Sequence, residues 1–113
     1  MVELIVLGNL GILIPKSSRI TLADNVAIDA AYSKATTVRE LWLDMSGVKL
    51  VDCGGLVVLL SLSERLVNTG KPKLRLIKPQ KPVISLMNLF NVESKFSLYE
   101  HAPAMTRDAL VCK

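Results

Sequence analysis

The chain is poor in the residues that most often carry chemistry or cross-links in small proteins. Two of its 113 residues are cysteine, one is histidine and one is tryptophan. Cys53 and Cys112 make no disulfide framework, and with His101 alone they make a poor zinc site, so neither a metal nor a cofactor is expected. No apolar run reaches the roughly 18 residues that span a bilayer. The longest, around residues 56–60, is broken by Ser61, Ser63, Glu64 and Arg65. The opening "MVELIVLGNLG" carries neither a basic leader nor a small-residue cleavage site, which predicts the cytoplasm as the compartment. Internal repeats, linkers and low-complexity tracts are missing as well.

What is present suits a single domain over residues 1–113, since 50% of the chain is hydrophobic and 21% charged. Formal net charge is +4. Much of the excess lies in "KPKLRLIKPQK", which holds Lys71, Lys73, Arg75, Lys78 and Lys81. No aromatic residue is interleaved there to stack on bases, so no nucleic-acid partner is expected. The run reads instead as a sheet edge kept soluble by lysine.

Along the chain, periods of two and of 3.6 residues alternate. "VELIVL" and "ILI" flank the turn-like "GNLG", predicting a hairpin over residues 2–14; "PKSSR" reads as loop. Thr21 with Asp24 three positions on makes a capping box for a helix over about 22–34, packing Ala23, Val26, Ala27, Ala30 and Ala31. "RELWLDM" is apolar on both faces, as a central strand requires. A helix over 55–69 is stopped by Gly70 and Pro72. "KLRLI" is a strand with Leu74 and Leu76 inward, "KPVISLMNLFNV" a short helix with Pro82 in its first turn, and "FSLYE" a last short strand. "APAMTRDALVC" reads as a C-terminal helix. Strands alternating with helices in this way predict one α/β domain, a mixed β-sheet of about four to five strands packed with helices.

The most informative stretch is "VKLVDCGGLVVLL" at residues 48–60, where an apolar strand turns into an apolar helix through a cysteine and two glycines. A thiol at a helix N-terminus is well placed for activation by the helix dipole. A phosphatase-like loop, however, needs an arginine a few residues on, and the next is Arg65. A cysteine hydrolase needs a histidine base, and only His101 exists. Cys53 therefore reads as a small, semi-buried side chain, and no enzyme activity is expected. A phosphate cradle fails too, because "DCGG" lacks the spaced glycines and the Lys-Ser/Thr pair. Asp52 fits the N-cap. On a helical wheel Leu56, Leu59, Leu60, Leu66 and Val67 share one arc with Ser63, whose hydroxyl is expected to bond a carbonyl one turn back. Gly54, Val58, Ser61 and Arg65 lie on the opposite arc, with Val57 beside them. Two valines on a solvent arc next to a bare glycine turn call for a cover, from a partner or from a loop of the same chain.

"LWLDMSGVKLVDCGGLVVLLSL" resembles the central signature of STAS domains, the fold shared by anti-sigma factor antagonists and the cytoplasmic tails of sulfate transporters. Leu41, Leu43, Asp44, Ser46, Gly47, Val48, Val51, Asp52, Gly55 and Leu56 match its order, and the likeness extends over residues 38–100. In phosphorylated antagonists the second residue after the signature aspartate is a serine or threonine modified by a partner kinase. Here that position is Gly54, with Cys53 before it, so no phosphorylation is expected in the loop. The resemblance implies a binding module for an anti-sigma factor or ATP-binding serine kinase-like protein, acting in transcription regulation without the phospho-switch. Its partner-binding residues would be Ser46, Asp52, Cys53, Gly54, Val57, Val58, Ser61 and Arg65. The alternative is a structural STAS subunit of a signalling scaffold or membrane-transport complex, and a homodimer or larger STAS assembly fits either.

Overall fold

In the computed structural model, which describes residues 2–101, β1 (Val2–Leu7) and β2 (Leu10–Pro15) form the predicted antiparallel hairpin. Gly8 takes φ +62° in its two-residue loop, a left-handed conformation that favours glycine. The chain continues through β3 (Arg19–Ile20), a 3-10 turn (Leu22–Asp24), α1 (Asn25–Ser33), β4 (Glu40–Asp44), β5 (Leu50–Val51) and α2 (Cys53–Asn68). It closes with β6 (Arg75–Ile77), α3 (Lys81–Leu89), a second 3-10 turn (Glu93–Lys95) and β7 (Ser97–Tyr99). The main sheet has five strands in the order β1-β2-β4-β6-β7, parallel except for the hairpin. β3 and β5 pair in a separate two-residue parallel ladder that joins the loop after β2 to the approach to α2. The sequence pattern hides β3, because two bonded residues inside "PKSSR" and its neighbour carry no periodicity. The C-terminal helix expected over 102–112 lies outside the described residues.

All three helices pack on one face of the sheet. Leu13, Leu41, Leu43, Leu74 and Leu76 meet Ile28 and Tyr32 of α1, Leu59 and Leu66 of α2, and Val83 and Met87 of α3. Burying one such side chain contributes about 1.5–3 kcal/mol, so this cluster is the main source of stability. The other face carries a smaller cluster of Leu10, Ile12, Trp42 and Ile77, drawn from strands alone. This is why "RELWLDM" is apolar on both sides.

Three packing expectations change. Thr21 does accept from Ala23 N and form the capping box with Asp24, but the turn it caps is 3-10, and α1 starts only after it. The buried stripe is therefore Ile28, Ala31, Tyr32 and Ala35, while Val26 is 77% exposed and Ala23 and Ala30 face outward. This phase buries an isoleucine and a tyrosine in place of a valine and alanines, which removes more apolar area from water. Second, Ser63 bonds across elements. Its Oγ donates to Lys95 O at 2.7 Å and accepts from Leu74 N at 3.0 Å, tying α2 to β6 and to the second 3-10 turn. Third, the basic run is no edge. β7 pairs outside β6, which puts the run inside the sheet, where its cations act as ties. Lys71 Nζ donates to Thr36 O at 2.7 Å, Lys73 Nζ to Ser94 O at 2.7 Å, and Arg75 pairs with Glu40 at 3.0 Å over the Trp42 ring.

Candidate docking site

The loops after β4 and β6 gather at the C-terminal ends of the parallel strands, where open α/β sheets generally present their sites. Asp44 Oδ1 accepts from Ser46 N at 3.0 Å, and Ser46 O accepts from Gln80 Nε2 at 2.8 Å, so the turn at Ser46 and Gly47 is held to the start of α3. Met45 and Val48 anchor this turn in the core, leaving Ser46, Gly47, Lys49 and Leu50 outside. Asp52 caps α2 as expected, its Oδ1 accepting from Gly55 N at 2.7 Å.

The two glycines have different reasons. A Cβ on Gly55 would lie 2.0 Å from the Ile20 carbonyl oxygen, so the first turn of α2 can seat on β3 only without a side chain. A Cβ on Gly54 would lie 3.0 Å from Leu22 Cβ in the 3-10 turn, a tight contact but one with an exposed neighbour. Gly54 has helical backbone as part of α2 and no positive φ, so space rather than conformation limits it.

Of the eight residues expected to bind a partner, Ser46, Asp52, Cys53, Val57, Ser61 and Arg65 are exposed and Gly54 is half-buried. Val58 is the exception. It is 3% exposed against 53% for Val57, because the arc of α2 carrying Gly54, Val58 and Arg65 turns toward the 3-10 turn and α1. The cover for that arc is the chain itself. Arg65 marks its far end, ion-paired with Asp29 of α1 and set 5.1 Å from the centre of the Tyr32 ring. Cys53, expected to be semi-buried, is exposed at the first position of α2. Val67, placed on the core arc, is 54% exposed, since the buried stripe centres on Leu59, Leu62 and Leu66.

The open part of α2 runs beside the end of α3. Cys53, Val57 and Leu60 face Phe90 and Val92 across an apolar groove of about 260 Å³. Leu89 and Phe90, at 76% and 50% exposure, extend this surface beyond the helix end. Sequence reasoning missed the α3 side. The signal was the consecutive "LF" at the end of an amphipathic helix, where one of two adjacent apolar residues must point outward.

A family model described as STAS domain matches residues 16–104. The chain belongs to the STAS domain family. No curated protein matches the sequence. Among solved structures, a candidate anti-sigma factor antagonist from Thermotoga maritima has a TM-score of 0.74 at 15% identity, covering 99% of this chain and 95% of that one. The unphosphorylated anti-sigma factor antagonist SpoIIAA, from Bacillus, has a TM-score of 0.74 at 12% identity, covering 100% and 98%. A murine anion transporter, Solute Carrier 26 family member A9, matches with a TM-score of 0.70 at 21% identity, over 94% of this chain but 18% of the transporter. These likenesses concern the fold. As a class, STAS domains are binding modules rather than catalysts. In this one, among the described residues, no three His, Cys, Asp or Glu side chains group closely enough to hold a metal ion. No described helix is long and apolar enough to cross a membrane.

Proposed function

We propose that this STAS domain, a single unit over residues 1–113, is a non-enzymatic docking module of the cytoplasm. Its partner is a protein of the ATP-binding anti-sigma factor or serine-kinase type, and its output is transcription regulation. The docking face is the start of α2 with the loop before it: Ser46, Asp52, Cys53, Gly54, Val57 and Ser61, extended by Phe90 and Val92. Arg65 borders the face, and buried Val58 supports it from below. The observation that carries this reading is the apolar groove beside a signature loop that has no hydroxyl at positions 53 and 54. Phosphorylation would place about two negative charges there. With no acceptor in the loop, the partner is bound constitutively or released by another input.

The groove favours a protein ligand because its lining is apolar and the exposed polar residues Asp52 and Ser61 adjoin its lining residues Cys53 and Leu60 in the chain, the pattern of an interface core with its rim. The test is affinity capture from the native cell with wild type and Val57→Glu, identifying the retained proteins by mass spectrometry. Capture by wild type of an ATP-binding anti-sigma or kinase-fold protein, lost in Val57→Glu, supports the reading. Retention of transporter subunits instead would favour a structural role in a transport complex, which the fold likeness to a STAS-bearing anion transporter keeps as the second reading.

A further inference from the structure

We infer that the outer edge of β1 is a self-association surface, on which a second copy of this chain pairs antiparallel to form one continuous sheet. β1 ends the strand order, and among the described residues nothing pairs with its outer side. The hairpin geometry shows which backbone groups are left open. Leu7 and Leu10 flank the two-residue loop and so form a hydrogen-bonded pair; the pattern then alternates along the register through Ile5↔Ile12 and Glu3↔Ile14. Val2, Leu4 and Val6 consequently aim their N–H and C=O groups away from the domain.

This edge lacks the usual protection. It carries no proline, lysine or bulge over its six residues, whereas β7 at the opposite end of the sheet is only three residues long. Its single charge, Glu3, is held by Lys16 at 2.8 Å. Beside the edge runs a groove of about 500 Å³ between β1 and α1, lined by Val2, Leu4, Ala27, Ala30, Ala31 and Lys34. Val6 and Val26 extend its apolar surface at 48% and 77% exposure.

The sequence of the edge points to a second copy as the occupant. Val2, Leu4 and Val6 read the same in both directions about Leu4. A two-fold axis there sets Leu4 against its counterpart and Val2 against Val6 of the other copy. Three pairs, each exchanging two hydrogen bonds, then satisfy every outward backbone group of these residues. Glu3 falls opposite Ile5 of the other copy, so no like charges face each other. The α1 helices meet over the seam, and their small residues let them approach. The docking face at the start of α2 takes no part in this pairing, so a dimer would offer two such faces.

The test is sedimentation of the full chain over a range of concentrations, for wild type and Val6→Lys, with a cross-link to read the register. Wild type should be dimeric, and Val6→Lys should weaken the dimer at least tenfold while keeping a native far-UV circular dichroism spectrum; its melting temperature should fall only by the stabilisation that dimerisation supplies. With Cys53→Ser and Cys112→Ser as background, Leu4→Cys should form a covalent dimer on mild oxidation. Bonded partners have Cα atoms about 5.5 Å apart, within disulfide range. Ile5→Cys, opposite Glu3 of the other copy, should not cross-link. A monomer at all concentrations overturns the inference. So does a dimer that neither responds to Val6→Lys nor links at Leu4. A monomer whose Leu4 and Val6 amides resist hydrogen exchange would assign the edge to residues of the same chain, and also overturns it.

Discussion

Replacing Gly55 by alanine should be the most damaging one-carbon change in the signature loop, although alanine is the better helix former. Within α2 the exchange alone would stabilise by about 1 kcal/mol. The added Cβ, however, would sit 2.0 Å from Ile20 O, 2.7 Å from Ile20 C and 3.1 Å from Val51 Cγ1. The first two are backbone atoms, so no rotamer change can relieve the contact; the helix start and β3 must separate by more than about 1 Å to restore ordinary packing distances near 3.5 Å. That movement strains the β3–β5 ladder and the Asp52 N–H bond to Ile20 O, which is already 3.3 Å long. Overpacking of this kind costs about 1–3 kcal/mol, and occasionally more; a clash between backbone atoms belongs at or above the top of that range. After the helix gain, a net loss of about 2 kcal/mol or more remains, which lowers the melting temperature of a domain this size by about 8 °C. Gly54→Ala is the matched control. It has the same propensity gain, but its closest contacts, Leu22 Cβ at 3.0 Å and Leu22 N at 3.3 Å, ask the exposed 3-10 turn to give by only a few tenths of an ångström, so it should stay within about 1 kcal/mol of wild type. Thermal and urea unfolding of the three proteins, followed by far-UV circular dichroism, decide the matter. If Gly55→Ala melted within 2 °C of wild type, or if Gly54→Ala were the worse of the two, the account of why two glycines stand there would fail.

Ser63→Ala should destabilise by about 2–3 kcal/mol, since it leaves Lys95 O and Leu74 N–H without their partner in a position only 3% exposed; urea unfolding measures this, and a loss below 0.5 kcal/mol would contradict it. Arg65→Glu should cost no more than about 1 kcal/mol of stability, because both it and Asp29 are half exposed; a much larger fall in the unfolding midpoint would show that the stack on Tyr32 dominates. Incubated with an anti-sigma-type serine kinase and ATP, wild type should gain no phosphate in the loop, while Gly54→Ser, with its helical backbone, should fold and offer an acceptor; phosphopeptide mass spectrometry reads both, and loop phosphate on wild type would misplace the motif. Alkylation of Cys53, which is exposed, should leave the unfolding midpoint unchanged within error; a shift of several degrees would mean that its side chain packs against the domain.

Much of this domain was legible because local chemistry and tertiary packing agree. The hairpin, Gly70 at the end of α2, the Asp52 cap, Pro82 in the first turn of α3 and the inward Leu74 and Leu76 each follow from a residue type whose backbone or patterning preference the fold satisfies. "LWLDMSGVKLVDCGGL" goes further. The order of its apolar, acidic and glycine positions resembles one family, and the family match over 16–104 agrees.

The rest depends on what lies across from each residue. Val57 and Val58 are identical neighbours, yet one is exposed and the other buried, because α1 and the 3-10 turn cover only one side of α2. The lysine-rich run looks like an edge until β7 is seen to pair outside it, since alternation within a strand reports its two faces and never its lateral neighbours. Ser63 finds its partners 32 and 11 positions away, farther than any helix periodicity reaches. The adjacent glycines were visible as a turn, but only the approach of Ile20 distinguishes the one that packing forbids to change from the one that merely lacks a hydroxyl. The sequence by itself determined the type and approximate place of most elements, which side of most strands is apolar, and the family. The tertiary structure alone decided strand order, the exposed part of α2 and the groove it forms with α3, because these depend on contacts between segments that carry no record of one another in their own periodicity.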